Sequence, residues 1–263
     1  MRDLLALLVP PEISADKSFA ESIEKAQSLL AAAQPDVLVA IDAGWRPRAF
    51  AVGGLQPPRG AGGLYRSQAV PAMAQALIDT AIDFGLPAFA EDAPLTRETA
   101  AALQQLWPAE DLPILALGVA TASPSLLQEF GQAIAAAGQR LGLKVVAICV
   151  GAIARDHQAE HDRRENPAVR QFGEQVLERL ARSGGEEVFD IDGGLWVQAH
   201  PETELGHLAL LLGTTGVEAE CEVLGSWAGP GVFAATVAFY RAEGFQLAAT
   251  RDWDATDHPK PTL

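Results

Sequence analysis

The sequence lacks most of the features from which a function can be recognised directly. Its two cysteines, Cys149 and Cys221, lie in strand-like apolar runs, so there is neither a disulfide framework nor a metal-type cysteine spacing. No apolar run reaches the length of a membrane span, and Leu4–Val9 is too short for the core of a signal peptide. A P-loop, a GxGxxG turn, a GxSxG elbow and an HExxH helix are also absent. We therefore expect a cytoplasmic protein whose function does not depend on these motifs.

Basic residues are also scarce. The 263 residues include 19 Lys and Arg against 34 Asp and Glu, which gives a net charge of −15 and a pI near 4.7. Nucleic acids and anionic membranes need a basic face, so the charge argues against both as partners. Hydrophobic residues at 49% and charged residues at 20% are ordinary for a globular protein with a core. The length suits one α/β domain, predicted at residues 1–251 and followed by a loose polar tail at 252–263.

Apolar runs typical of buried strands alternate with segments of helical periodicity. Strands are predicted at Leu4–Val9, Val37–Ile41, Ala49–Val52, Leu86–Ala90, Leu112–Leu117, Lys144–Val150, Glu220–Gly225 and Val232–Tyr240. Helices are predicted at Ser18–Ala33, Pro71–Phe84, Thr96–Leu106, Pro124–Leu141 and Pro201–Leu212, and another is predicted to begin at Asn166-Pro167. This alternation predicts a three-layer α/β/α fold with a largely parallel central sheet.

The carboxyl ends of the first two strands are the expected site, because ligands of open α/β sheets collect there. The residues concerned are Val9, Pro10, Pro11, Glu12, Asp42, Gly44 and Trp45. Asp42 ends a buried strand, where a carboxylate is costly unless it is paired or functional, and it is the best single polar candidate. Glu12 and Glu204 are candidates to converge with it. Their alternative roles are helix capping and pairing with Arg46, Arg48 or Arg155.

Other candidate segments have two interpretations each. His157 and His161 have the spacing of two metal ligands on a helix, but a solvated role in this charged segment is favoured. His200 either begins a helix or lines a site, and a surface role is favoured for His207. The glycine-dense segment 225–231 is interpreted either as a tight turn or as a place of close backbone approach to a ligand. The long segment Arg46–Ser67 is interpreted as a lid or rim.

Five segments together resemble one known family. They are LLVPPEI, QPDVLVAIDAGW, VPAMAQALIDTAIDFGLPAFAED, TRETAAALQQLWPAEDLPILAL and CEVLGSWAGPGVFAATVAFYR. In order and spacing they resemble the class III extradiol ring-cleavage dioxygenases, the LigB-like superfamily, over most of the chain. The resemblance implies the fold predicted above. It also implies non-haem Fe(II) held by two histidines and a glutamate, with a further histidine as acid/base.

The chain departs from that family at the residues that carry its chemistry. The resemblance places Val9 where members have the histidine of His-Pro-Pro, and Ala43-Gly44 where the second ligand stands. Arg97 takes the place of the acid/base histidine, and the segment ending at Arg155 replaces Gly-Asp-x-Ser-His. The surviving glutamate is Glu204 or, with a shifted alignment, Glu202.

The departures predict a LigB-like protein that has lost its iron centre. Such a chain is expected to act as a non-catalytic subunit beside a catalytic paralogue, as does the α subunit of 2-aminophenol 1,6-dioxygenase, or as a homodimer. The old pocket, expected to bind an anionic aromatic ligand, is lined by Asp42, Trp45, Arg97, Arg155, Glu204 and Trp227. One alternative is an active dioxygenase of catechols or 2-aminophenols, with Fe(II) on substituted ligands drawn from Glu12, Asp42, His157 and His200. Another is a metal-free enzyme or binder in the same pocket.

Overall fold

The computed structural model describes residues 4–11, 17–56, 68–91, 95–108, 113–183, 185, 187–216 and 219–241. The strands are β1 Leu4–Val9, β2 Val37–Asp42, β3 Phe50–Val52, β4 Ala88–Ala90, β5 Ile114–Gly118, β6 Val145–Val150, β7 Ala154–Arg155, β8 Glu220–Gly229 and β9 Val232–Tyr240. The helices are α1 Lys17–Ala33, α2 Pro71–Asp83, α3 Arg97–Leu106, α4 Pro124–Leu141, α5 His157–His161, α6 Pro167–Ser183, α7 Gly193–Ala199 and α8 Gly206–Thr215. None of these helices is both long and apolar enough to cross a membrane.

The strands form one sheet whose centre is parallel. The order is β4-β3-β5-β2-β6-β1-β9-β7, and β8 pairs with β9. The four central strands run parallel, with β2 paired to β5 and β6, and with β6 paired to β1. Strand β9 is antiparallel to β1, and β8 is antiparallel to β9. Because four adjacent strands share one direction, the loops that follow them meet at a single edge, which we call the carboxyl edge.

Side chains that alternate along each strand pack into two hydrophobic cores. Leu8 and Val39 face one core, which lies beneath α2, α4, α6 and α8. Leu7 and Leu38 face the other core, beneath α1 and α3. Both faces of the central strands are therefore covered, as parallel strands require. The predicted three-layer α/β/α architecture with a largely parallel sheet is confirmed.

Several boundaries differ from those predicted. Strand β8 continues through the glycine-dense segment to Gly229, so the turn is confined to Pro230-Gly231. The helix predicted from Pro201 begins only at Gly206, after an irregular turn. Strand β7 and helix α7 have no counterpart in the prediction. Residues 57–67 of the predicted lid, residue 251 as a domain boundary and the tail at 252–263 lie outside the described residues.

Candidate functional site

Gly151 lies at the centre of the carboxyl edge. Its N–H donates to the carbonyl oxygen of Val9 at 3.0 Å. A Cβ on Gly151 would lie 2.9 Å from Cβ of Ala43, and 3.4 Å from both Glu202 Oε2 and His207 Cδ2. No side chain fits in this space. The backbone after β6 thus meets the ends of β1 and β2 and the segment before α8 at one point.

Glu202 is the acidic side chain at this point. Its Oε2 accepts a hydrogen bond from the N–H of Ala152, and its own N–H donates to the carbonyl of Ile153 at 3.2 Å. Its Oε1 lies 4.0 Å from Nη1 of Arg155, and only 15% of its side chain is exposed. Burial raises the pKa of Glu202, against the lowering effects of the Ala152 N–H and of the nearby charges of Arg155, His157 and Arg46.

A strained turn carries Glu202 into place. His200 has φ of 51°, and the consecutive residues Thr203, Glu204 and Leu205 have φ of 50°, 54° and 58°. This is the left-handed region, which costs a residue other than glycine about 1 kcal/mol or more. Backbone strain of this kind is concentrated at functional sites, so the turn marks the segment as one to explain. Of its two acids, Glu202 faces inward and Glu204 is exposed.

His207 is fully buried beside Glu202, which makes the predicted surface role wrong. Helix α8 is buried on nearly all sides, so no position in its first turns faces solvent. The Nδ1 of His207 lies 2.6 Å from Oγ1 of Thr203, whereas Nε2 has no well-formed hydrogen bond among the described residues. Burial lowers the pKa of His207 to about 4, and the charge of Arg46 acts in the same direction. The imidazole is therefore neutral near pH 7.

Asp42 has a structural task that accounts for its burial. Its Oδ1 accepts from the N–H of Gly44 at 2.9 Å, and its Oδ2 accepts from the N–H of Thr96 at 2.8 Å. Thr96 in turn caps α3 by accepting from the N–H of Thr99. The carboxylate thus shapes the loop after β2 and fixes the start of α3. Both of its oxygens are engaged by backbone donors.

Arg155 lies at the carboxyl edge between two acids, Glu160 and Glu202. Its Nε lies 3.2 Å from Oε2 of Glu160, in addition to its approach to Glu202. Together with Pro10, Pro11, Trp227, Val232 and Ala234, it lines a cavity of about 10 Å³. That volume accommodates about one water molecule. A wider open groove of about 620 Å³ lies between α1 and β8, away from this edge.

The remaining predicted residues are dispersed. Trp45 packs over Gly118, where a Cβ would lie 2.7 Å from the indole ring. Arg97 is exposed at the first position of α3, and His200 is also exposed. The His157 side chain is 81% exposed, in line with a solvated role. Glu12 lies outside the described residues.

The turn between β8 and β9 contains a glycine because it packs closely against α5. Gly231 has φ of 66°, and a Cβ there would lie 2.4 Å from the backbone nitrogen of Glu160. The carbonyl of Gly231 accepts from the N–H of Asp156 at 2.7 Å. Asp156 begins α5 and accepts from the N–H groups of Gln158 and Ala159. The glycine thus permits a tight turn against α5, which is one of the two interpretations left open by the sequence.

The donor set at this edge does not fit the iron site that the family resemblance implies. Val9 and Gly44 stand where the resemblance would place the two histidine ligands, and neither side chain has an atom that binds a metal. Of the carboxylates described here, Asp42 is engaged with Gly44 and Thr96, and Glu202 with Ala152 and Arg155. Within the described ranges, no group of three or more His, Cys, Asp or Glu side chains is arranged to hold a metal ion.

The charges that act on Glu202 differ from those expected. The sequence paired Arg97 with Arg155, whereas the charges acting on Glu202 are those of Arg155, His157 and Arg46. The burial of His207 beside Glu202 is the feature of this site that sequence reasoning missed. The signal for His207 was the uninterrupted apolar run around it, which is typical of a helix buried on all sides.

Comparison with known proteins shows the fold of this chain but neither its family nor its function. An uncharacterized protein from Escherichia coli K12, JW3007, has a crystal structure that is similar to this chain with a TM-score of 0.71 at 18% sequence identity. The similarity covers 89% of this chain and 99% of that one. No protein-family model matches the chain, and no curated protein matches it in sequence.

Proposed function

We propose that this chain is a LigB-like protein without a catalytic iron centre that acts as a non-catalytic subunit. The observation that carries the proposal is the composition of the carboxyl edge. Val9 and Gly44 offer no metal ligand, and the two buried acids described at this edge, Asp42 and Glu202, are both bound to backbone N–H groups. A two-histidine, one-carboxylate iron site needs three donors and open positions.

A subunit role also needs a surface for a partner, and the β4 end of the sheet offers one. Ile82, Phe84 and Phe89, at the end of α2 and in β4, are 56%, 43% and 44% exposed. Aromatic side chains are enriched at protein interfaces. We propose a catalytic paralogous subunit as the partner, or a second copy of this chain. Two free cysteines support a cytoplasmic location for the assembly.

The test is the metal content and oxygen uptake of protein purified anaerobically with Fe(II) supplied. We expect iron far below one equivalent and no O2 uptake with catechol or 2-aminophenol. Light scattering of the same sample is expected to show a dimer, or a complex when a catalytic paralogue is co-expressed. Near-stoichiometric iron with O2 uptake would contradict the proposal and favour an active dioxygenase, with His207 and Glu202 as the first residues to mutate.

A second candidate is a binding site for a small anionic aromatic molecule, because Arg155 and Trp227 line the same cavity. The cavity holds about one water molecule, so a ring enters only if Trp227 moves. Trp227 lies on the edge strand β8 and is half-buried, which leaves it room to move. A panel of aromatic acids is expected to raise the melting temperature. An unchanged melting temperature would remove this candidate.

A further inference from the structure

Groups that favour a negative charge converge where Glu202 lies. The N–H of Ala152 points at Oε2, and the guanidinium of Arg155 approaches Oε1. The charge of Arg46, in the loop after β2, also acts on this carboxylate. Backbone N–H groups and guanidinium groups are the usual donors of carboxylate sites in proteins.

Glu202 reaches this position only through an unfavourable backbone. Left-handed φ values at Thr203, Glu204 and Leu205 follow it, and His200 before it has the same conformation. These strained residues belong to the same turn as Glu202, so a change of their conformation bears on the position of its side chain. Strained backbone of this kind is concentrated at ligand sites and switch regions.

We propose that Glu202 is a built-in anion that fills a carboxylate-binding site at the end of β6, and that the carboxylate of a small molecule replaces it when the turn opens. This rests on the proposed ligand-binding function of the same edge, which it makes more specific. The site consists of the Ala152 N–H and the Arg155 guanidinium. An internal carboxylate in this place would keep the site closed until a ligand competes for it.

The charge balance selects a monoanion. The guanidinium of Arg155 is balanced by two carboxylates, with Nε 3.2 Å from Oε2 of Glu160 and Nη1 4.0 Å from Oε1 of Glu202. A monocarboxylate that replaces Glu202 restores this balance, whereas phosphate brings a second negative charge. His207, the neighbouring imidazole, is neutral near pH 7 and supplies no further positive charge. Phosphate is therefore expected to bind less well than formate or acetate.

The experiment removes the internal carboxylate and supplies an external one. Glu202→Ala is titrated with sodium formate and sodium acetate, with sodium chloride and phosphate at equal ionic strength as references. We expect a rise in Tm of about 3 °C at a formate concentration ten times its Kd, which increases further with the logarithm of the concentration. The wild type is expected to respond at least ten-fold more weakly because Glu202 competes for the donors.

Glu204→Ala is the matched control, since this acid belongs to the same turn and faces solvent. It is expected to show the small formate response of the wild type. Adding Arg155→Gln to Glu202→Ala is expected to abolish the response. An equal response of Glu204→Ala, or no preference of Glu202→Ala for formate over chloride, would overturn the proposal.

Two further measurements cover an unfolded Glu202→Ala variant and the aromatic ring of the ligand. If Glu202→Ala is unfolded at 25 °C, circular dichroism replaces melting: formate restores the helical signal if the proposal is right and leaves the chain unfolded if it is wrong. Benzoate tests the ring separately from the carboxylate. A response to formate without one to aromatic acids would support the carboxylate site while removing the aromatic ligand.

Discussion

Asp42 and Glu202 are both mostly buried acids at the carboxyl edge, yet the chain supports them differently. Asp42 follows a regular strand and accepts two N–H groups, from Gly44 and from Thr96. Glu202 accepts one N–H, lies 4.0 Å from Arg155 and belongs to a turn with left-handed residues. We therefore interpret Asp42 as an acid that stabilises the fold, and Glu202 as an acid that lies in a strained turn. Stability measurements can test that distinction.

The largest effect is expected when Asp42 is removed. Asp42→Ala leaves the N–H groups of Gly44 and Thr96 without their charged acceptor, and each such bond contributes about 2 kcal/mol. We expect a loss of about 4 kcal/mol in the free energy of unfolding, measured by urea denaturation. Asp36→Ala is the control, because Asp36 is exposed and, among the described residues, accepts one backbone hydrogen bond, from the N–H of Lys144. A loss no greater than that of the control would mean that Asp42 does not hold the loop.

The next effect is a pH dependence from His207, which lies beside the strained turn. Its pKa is about 4 in the folded protein and about 6.5 in an unfolded chain. As the pH falls, the unfolded chain binds the proton first, so stability is present above pH 6.5 and declines down to about pH 4. The decline amounts to about 3 kcal/mol. The raised pKa of Glu202 acts in the opposite direction, because the folded protein then takes up that proton first.

His207→Gln isolates this contribution. Urea denaturation from pH 7.5 to pH 4 is expected to show a flatter profile for this variant than for the wild type. His161→Gln is the control, since His161 is exposed on α5 and its removal should leave the profile unchanged. Parallel profiles for His207→Gln and the wild type would show that the buried imidazole does not cause the loss of stability at low pH.

The sequence indicated that these residues lie at the carboxyl edge, but it did not predict the role that each of them has there. Asp42 was identified from its place at the end of a buried strand, which is a local property. Its partner Thr96 lies 54 residues further on, and only the folded sheet brings the two together. The choice between Glu202 and Glu204 depended on the left-handed turn, whereas the sequence predicted a regular helix from Pro201. Propensity alone does not predict a conformation that tertiary contacts impose.

The burial of His207 and the effect of Arg46 on Glu202 were not predicted, for a related reason. A surface role for His207 assumed that α8 has a solvent face, but the helix packs on β1, β6 and α4 and is buried on nearly all sides. The effect of Arg46 on Glu202 depends on the path of the loop after β2. Strand and helix periodicity fixes the layers of the fold, while the site depends on the loops between them.

A smaller effect, of opposite sign, tests the strain itself. Glu204 is exposed with φ of 54°, so Glu204→Gly removes the left-handed penalty without removing a described contact. We expect a gain of roughly 0.5 to 1 kcal/mol in urea denaturation. Glu174→Gly, at an exposed position inside α6, should lose about 1 kcal/mol because glycine disfavours a helix. If both variants lose stability equally, the turn is not strained.

The smallest effect separates Arg97 from Arg155. Arg97 is exposed at the first position of α3, where its charge faces the positive end of the helix dipole. Arg97→Ala is therefore expected to change the free energy of unfolding by less than about 0.5 kcal/mol, with a slight gain. Arg155→Ala, which removes the guanidinium that lies between Glu160 and Glu202, is expected to lower the free energy of unfolding. Equal losses in replicate urea titrations would place Arg97 in the charged cluster that the sequence predicted for it, and the site would then extend from β6 to α3.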